Sequence, residues 1–231
     1  MKPGSRGASA GAGGSRPELE SLGEVGILFA DLSGYTQVVY QCVGDEDRLQ
    51  RLSMALYRLF NAPGHAHPDI SVEGYAGDGF LAFSRGRTPV RTMYDFALTL
   101  HSRFDAETRP LMLNLGFRAS AALRTGLHIG RVWRMKLSAE PEPPRYSNIS
   151  DAINVASRVV AGQVCRRRGL AVTRDCYRRL LYAGRKEVRE PDEVIQDRNQ
   201  YPEPIEIYHI RPEEHQQIVT RSAGQAKNPP A

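Results

Sequence analysis

Two aspartates stand where they could hold metal ions. Asp31 closes the apolar run GILFAD, and Asp78 sits in Gly77-Asp78-Gly79 between two strand-like segments. Carboxylates on neighbouring segments of one sheet can share hard divalent cations such as Mg²⁺ or Mn²⁺, with phosphate oxygens completing the shell. Two such ions about 3.5–4 Å apart can clamp the attacking and leaving oxygens of an in-line phosphoryl displacement. Leu32-Ser33-Gly34-Tyr35-Thr36 follows Asp31, and its backbone amides, near a helix N-terminus, can cradle phosphate oxygens. Farther on, SNISDAINVASRV sets Asn154 and Arg158 four residues apart, on one helical face. An amide beside a guanidinium suits a sugar and a phosphate. The guanidinium stays charged and offers a fork of donors to the charge that builds on a pentavalent phosphorus. Each feature alone has a plainer reading. Gly-Asp-Gly is a common turn, an aspartate after a strand is a helix cap, and Asn154 with Arg158 is a surface pair on an amphipathic helix.

The elements that must carry these residues can be read from periodicity. GILFAD reads as a buried strand. Leu49, Leu52, Leu56, Leu59 and Phe60 give helical spacing over 46–60, with Pro63 and Gly64 as the stop. ISVEGYAGDGFLAFS reads as a hairpin. A second helix is predicted over 88–104. FRASAALRTGLHIGRVWRMKL reads as a strand, a turn at Gly130 and a return strand. SDAINVASRVVAGQVC reads as one helix with Ser150 as N-cap. A short strand over 170–173, a helix over 175–181 and a last strand in PIEIYHI complete the order. Hairpins mixed with helices argue for an α+β sandwich with a largely antiparallel sheet. Residues 1–22 are Gly/Ser/Ala-rich and read as a flexible tail, 23–210 as the folded domain, and 211–231 as a polar, fraying tail.

Composition sets outer bounds. The 231 residues are 41% hydrophobic and 25% charged, which suits one globular domain. No run reaches the roughly 20 apolar residues that cross a bilayer, and the N-terminus lacks the apolar core of a signal peptide. Cys42, Cys165 and Cys176 have no metal-like spacing, so a reduced cytoplasmic protein is expected. The net charge is +5, but the arginines are scattered apart from Arg166 to Arg168. With no aromatic-rich binding signature, no DNA or RNA partner is expected, and the cluster reads as a solvated helix end. His128, in an apolar strand, reads as a satisfied interior histidine. Trp133, beside Arg134, reads as a stacking residue or an interface aromatic.

Taken together, FADLSGYT, GYAGDGFLAF, LRTGLHIGRV and DAINVASRV resemble the class III nucleotidyl cyclase family, in its order and at similar spacings, over about residues 25–182. The resemblance implies a ferredoxin-like βαββαβ core with extra C-terminal elements. It implies that Asp31 and Asp78 hold two Mn²⁺ or Mg²⁺ ions per site, that Asn154 orients the ribose, that Arg158 stabilises the transition state and that Arg124 binds phosphate. It implies a homodimer with two shared sites, because the family draws the metal residues and the Asn/Arg helix from opposite protomers. The family's last phosphate-binding lysine has no clear counterpart. Arg198 is the nearest basic candidate.

The base pocket departs from the family. Adenylyl cyclases carry a Lys four residues before the second metal Asp and an Asp seven before the Asn. Here those positions hold Gly74 and Ser147, with Tyr75 and Asn148 beside them. A site without that donor and acceptor cannot discriminate adenine in the same way. Guanylyl cyclases put Glu at the Lys position. Glu73 is one residue away, on the opposite face of a regular strand, and only a bulge at Gly74 would bring it round. The departure and the short architecture look like the pyrimidine cyclases of Pycsar anti-phage systems. That resemblance implies conversion of UTP to cyclic UMP as an alarm signal for a separate cyclic-nucleotide-binding effector. The alternatives are a cytidylate cyclase, a purine cyclase, or an inactive cyclase-homology module used for dimerisation or binding.

Overall fold

The apolar run that ends at Asp31 is the middle of a sheet. The computed structural model describes residues 19–65, 67–76, 78–117, 121–137, 146–181, 188–196 and 201–227. Strand β1 (Leu19–Ser33) leads through the short helix α1 (Tyr35–Tyr40) to α2 (Glu46–His65). The hairpin β2 (Ile70–Ala76) and β3 (Gly79–Ser84) follows, then α3 (Pro89–Arg103). A π-helical turn (Phe104–Thr108) joins α3 to α4 (Arg109–Asn114), which leads towards β4 (Ala122–Lys136). Then come β5 (Tyr146–Ile149), α5 (Asp151–Ala161), α6 (Gln163–Arg168), β6 (Leu170–Thr173), α7 (Arg174–Leu181), β7 (Glu193–Ile195), β8 (Ile205–Tyr208) and α8 (Pro212–Lys227).

The strands lie in the order β2-β3-β1-β4-β6-β8-β7, with β5 paired to β4. The β4–β6 ladder is parallel and the others are antiparallel. The order β2-β3-β1-β4, with α2 and α3 as the connecting helices, is the expected ferredoxin-like core. Both faces are covered, which is why residues 25 to 30 read as a continuous apolar run. Leu28, Ala30 and Leu32 face the larger core with Leu52, Leu56 and Leu59 of α2 and Met93 and Leu100 of α3. Val25 and Ile27 face the other way, with Phe83, Val132 and the inner side of α5, Ala152 and Ala156.

Several expectations change. Gly130 is no turn, because β4 runs unbroken from Ala122 to Lys136. Its missing side chain is needed for packing: a Cβ there would lie 2.4 Å from the Ala152 Cβ. Gly126, one turn of α5 away, would meet the Ala156 carbonyl oxygen at 2.9 Å. The expected single helix from Ser150 divides at Gly162 into α5 and α6. Glu193 of β7, a strand without a clear sequence signal, caps α6 by accepting from the amides of Gln163 (3.0 Å) and Val164 (2.8 Å). Helix α2 passes Pro63 and ends two residues beyond it, at His65. Leu49 lies on its exposed side.

The tail boundaries also move. Leu19 already belongs to β1. The residues after Pro212 form α8, with Pro212 at its start and Glu213 and Glu214 in its first turn. Ile218 is buried, and the buried Glu214 accepts from the Tyr177 hydroxyl, Arg189 Nε (3.1 Å) and the Arg211 amide (2.7 Å). All three cysteines are buried and free. Arg166 to Arg168 form the exposed last turn of α6. Among the described residues, no helix is long and apolar enough to cross a membrane.

Candidate active site

Asp31 sits near the C-terminal end of β1, between Gly79 of β3 and Arg124 of β4 in the ladder. The Leu32 amide donates to the Asp78 carbonyl at 3.1 Å, which ties the β2–β3 turn to the end of β1. This tie brings the two carboxylates together. The Asp78 carboxyl is held above the usual carboxylate range, chiefly by burial, then by the charge of Asp31 and a hydrogen bond shared with it. The Tyr35 hydroxyl is pushed up by burial and by the charge of Asp78. Gly34 turns the chain into α1 with φ 79°, and the Ser33 hydroxyl donates to the Ala122 carbonyl at 3.0 Å.

Arg124 does not stand open. Its guanidinium is ion-paired to Asp31, with side-chain exposures of 20% and 22%. Arg124 Nε is buried without a hydrogen-bond partner. The two carboxylates are oxygen donors of the kind that hard divalent cations take, and the Arg124 guanidinium occupies one of them. Among the described residues, no group of three or more His, Cys, Asp or Glu could hold a metal, so oxygens from elsewhere would have to complete the shell.

Helix α5 lies across the same sheet face as Asp31, fitted onto Gly126 and Gly130. Ser150 is its N-cap, as expected, and accepts from the Ala152 amide at 3.0 Å. The inward stripe is Ala152, Ala156, Val159 and Val160. At 100° per residue, Asn154 and Arg158 point away from the sheet, and both are exposed. One chain therefore turns its Asp pair and its Asn/Arg pair in different directions.

The base-recognition candidates divide by face. The ladder shifts register between Val72 and Gly74, so Glu73 is the extra residue of a β-bulge. Glu73 and Gly74 consequently share the α5 side of the sheet. The Glu73 carboxylate accepts from Arg134 of β4 and from Asn148 Nδ2 (3.2 Å) of β5. Asn148 and Asn154 line one cavity of ≈ 530 Å³, with Trp133 at its edge. Ser147 alternates to the other side of β5. Tyr75 is also elsewhere: it pairs with Phe80 and donates its hydroxyl to Asn61 of α2. Arg198 lies outside the described residues. Arg134 went unassigned in the sequence, although counting every second residue of β4 from Arg124 puts it on the same face. His128 Nδ1 lies 2.9 Å from Thr173 Oγ1, a satisfied interior histidine as expected, and burial lowers its pKa to about 4.

Comparison with known proteins agrees with this architecture. The fold resembles the adenylyl cyclase CyaB from P. aeruginosa, with a TM-score of 0.63 and 15% identity over 83% of this chain and 94% of that one. It resembles the guanylyl cyclase Cya2 equally, with a TM-score of 0.63 and 15% identity over 83% and 92%. The guanylate cyclase domain of RhGC from Catenaria anguillulae, solved in complex with GTP, gives a TM-score of 0.56 and 18% identity over 82% and 96%. No curated protein matches the sequence. The model of the adenylate and guanylate cyclase catalytic domain matches residues 18–208, and the chain belongs to that family.

Proposed function

We propose that this chain is a homodimeric nucleotidyl cyclase that converts UTP to 3′,5′-cyclic UMP and pyrophosphate. The observation that carries the reading is the meeting of Asp31 and Asp78 at the joined ends of β1 and β3. These carboxylates would hold two Mg²⁺ or Mn²⁺ ions. Bound there, such ions acidify the ribose 3′-hydroxyl and neutralise charge on the phosphates. The 3′-oxygen bonds to the α-phosphorus, the α–β bridging bond breaks, pyrophosphate leaves and the hydroxyl proton passes to water. Leu32 to Thr36 and Arg124 would bind the triphosphate, with Arg124 released from Asp31. Asn154 from the second protomer would orient the ribose, and its Arg158 would stabilise charge on the α-phosphate. The outward direction of that pair on α5 supports the shared site.

Uracil is favoured because the adenine-reading Lys and Asp are replaced by Gly74 and Ser147. The Asn148 amide, which carries both a donor and an acceptor, lines the cavity instead. A second reading, GTP, is favoured by the bulge that turns Glu73 to the α5 side. Against it, Glu73 already accepts three hydrogen bonds, from Ser71, Arg134 and Asn148. A role as a cytoplasmic second-messenger synthase in anti-phage defence, signalling to a separate cyclic-nucleotide-binding effector, is supported by the resemblance to the pyrimidine cyclases. The test is incubation with each of the four nucleoside triphosphates and Mn²⁺, with products identified by mass spectrometry. Cyclic UMP as the main product is expected. Cyclic AMP as the main product refutes the pyrimidine reading, and no cyclic product at all refutes the enzyme.

A further inference from the structure

Glu73, Arg134 and Asn148 meet from three strands, β2, β4 and β5. The Glu73 and Arg134 side chains are only 10% and 16% exposed. Ser71 Oγ donates to Glu73 Oε1 at 2.6 Å, while Arg134 Nη2 and Asn148 Nδ2 both donate to Oε2. Arg134 Nε closes the ring by donating to Asn148 Oδ1 at 3.3 Å. The ring fixes the Asn148 amide, because a guanidinium has only donors and a carboxylate only acceptors. Asn148 Oδ1 must face Arg134, and Nδ2 must face Glu73. Among the described residues these bonds use two of the five N–H donors of Arg134, and the guanidinium brings more donors to the corner than its partners there take up.

We propose that Arg134 is a specificity residue that reads an exocyclic carbonyl of the base. The inference deepens the cyclase reading and rests on it. Asn148 belongs both to this ring and to the cavity that Asn154 lines, so the ring borders the space assigned to the nucleoside. A guanidinium welcomes a keto oxygen, such as O4 of uracil or O6 of guanine. It opposes the exocyclic amino group of cytosine or adenine, which would set donor against donor. Within each ring size the site therefore selects the keto base: UTP over CTP, and GTP over ATP.

The experiment measures kcat/KM for UTP, CTP, GTP and ATP with the wild-type dimer and three variants. Arg134→Met removes the donors and keeps the stem. The double variant Glu73→Gln with Arg134→Met leaves no orphaned charge, and Arg134→Lys keeps the charge without the planar fork. The wild type is expected to prefer UTP to CTP, and GTP to ATP, by on the order of ten- to a hundredfold, the discrimination of one good hydrogen-bonded base contact. Both ratios should fall toward one in the double variant and be intermediate in Arg134→Lys. A folded double variant with wild-type ratios overturns the proposal. So does a wild type that prefers CTP to UTP or ATP to GTP, a result that needs no variant to fold and leaves the cyclase reading standing. A wild type that cyclises none of the four overturns the cyclase reading itself.

Discussion

Arg124 is ion-paired to Asp31 directly across the β1–β4 ladder, and each side chain is about four-fifths buried. With Asp78 alongside, two carboxylates share one guanidinium. Removing that cation leaves two neighbouring negative charges in a poorly solvated place. Arg124→Ala should destabilise the metal-free protein by about 1–3 kcal/mol, the cost of an orphaned, partly buried polar partner. Added Mn²⁺ should then raise the Tm of the variant more than that of the wild type. Thermal unfolding with EDTA and with Mn²⁺ makes the comparison. Equal metal-induced shifts would mean that Arg124 does not compete for Asp31.

The different directions of the Asp pair and the Asn154/Arg158 pair demand a second protomer if both serve one substrate. Asp31→Ala and Asp78→Ala should each abolish turnover. Arg158→Ala should lower kcat by on the order of 10²–10³, as for other charge-stabilising donors. Asp78→Ala and Arg158→Ala chains, unfolded together, refolded and mixed in equal amounts, should regain about a quarter of wild-type activity. Random pairing makes half the dimers mixed, and each mixed dimer has one intact site of two. No recovery in dimers verified as mixed would refute the shared site.

The fold was legible where local pattern decides it. The β2–β3 hairpin, the N-cap at Ser150 and the apolar faces of α2 and α3 follow from punctuation and period. What escaped depends on contacts distant in sequence. Gly130 looks like a turn glycine, but it makes room for Ala152, and only the docked helix reveals the difference. The break at Gly162 depends on Glu193 arriving from β7 to cap α6. Glu73 is the sharpest case among the site residues. Simple alternation turns it away from the site, and the register shift that turns it back belongs to the pairing of β2 with β3. Asp31, Asp78, Asn154 and Arg158 could be proposed from the sequence because their motifs are local. The Arg134 ring was not, because its three strands meet only in the folded sheet.

Gly130 and Ala152 set the depth at which α5 rests on β4. A methyl group on residue 130 would lie 2.4 Å from the Ala152 Cβ, so the helix must lift. Gly130→Ala should cost about 1–3 kcal/mol by overpacking, and it should lower kcat/KM because Asn154 and Arg158 ride on the same helix. Ala152→Gly in the same chain should recover part of both losses. Urea unfolding and steady-state kinetics of the single and double variants give the coupling. Purely additive effects would show that the two positions do not share one contact.

His128 supplies a pH dependence of stability whose sign is fixed by burial. Its pKa is lowered to about 4 in the folded chain, chiefly by burial, although the charges of Asp175 and Asp151 pull it up. An unfolded histidine titrates near 6.5. Between these values the unfolded chain binds a proton that the folded chain refuses, so stability rises with pH. The contribution is complete above about pH 6.5 and is lost as pH falls toward 4, to the extent of on the order of 3 kcal/mol. His128→Gln keeps a polar partner for Thr173 and cannot titrate. The difference in unfolding free energy between pH 7 and pH 4.5 should therefore be smaller in His128→Gln than in the wild type. Equal differences in the two proteins would assign the acid sensitivity to the carboxylates instead.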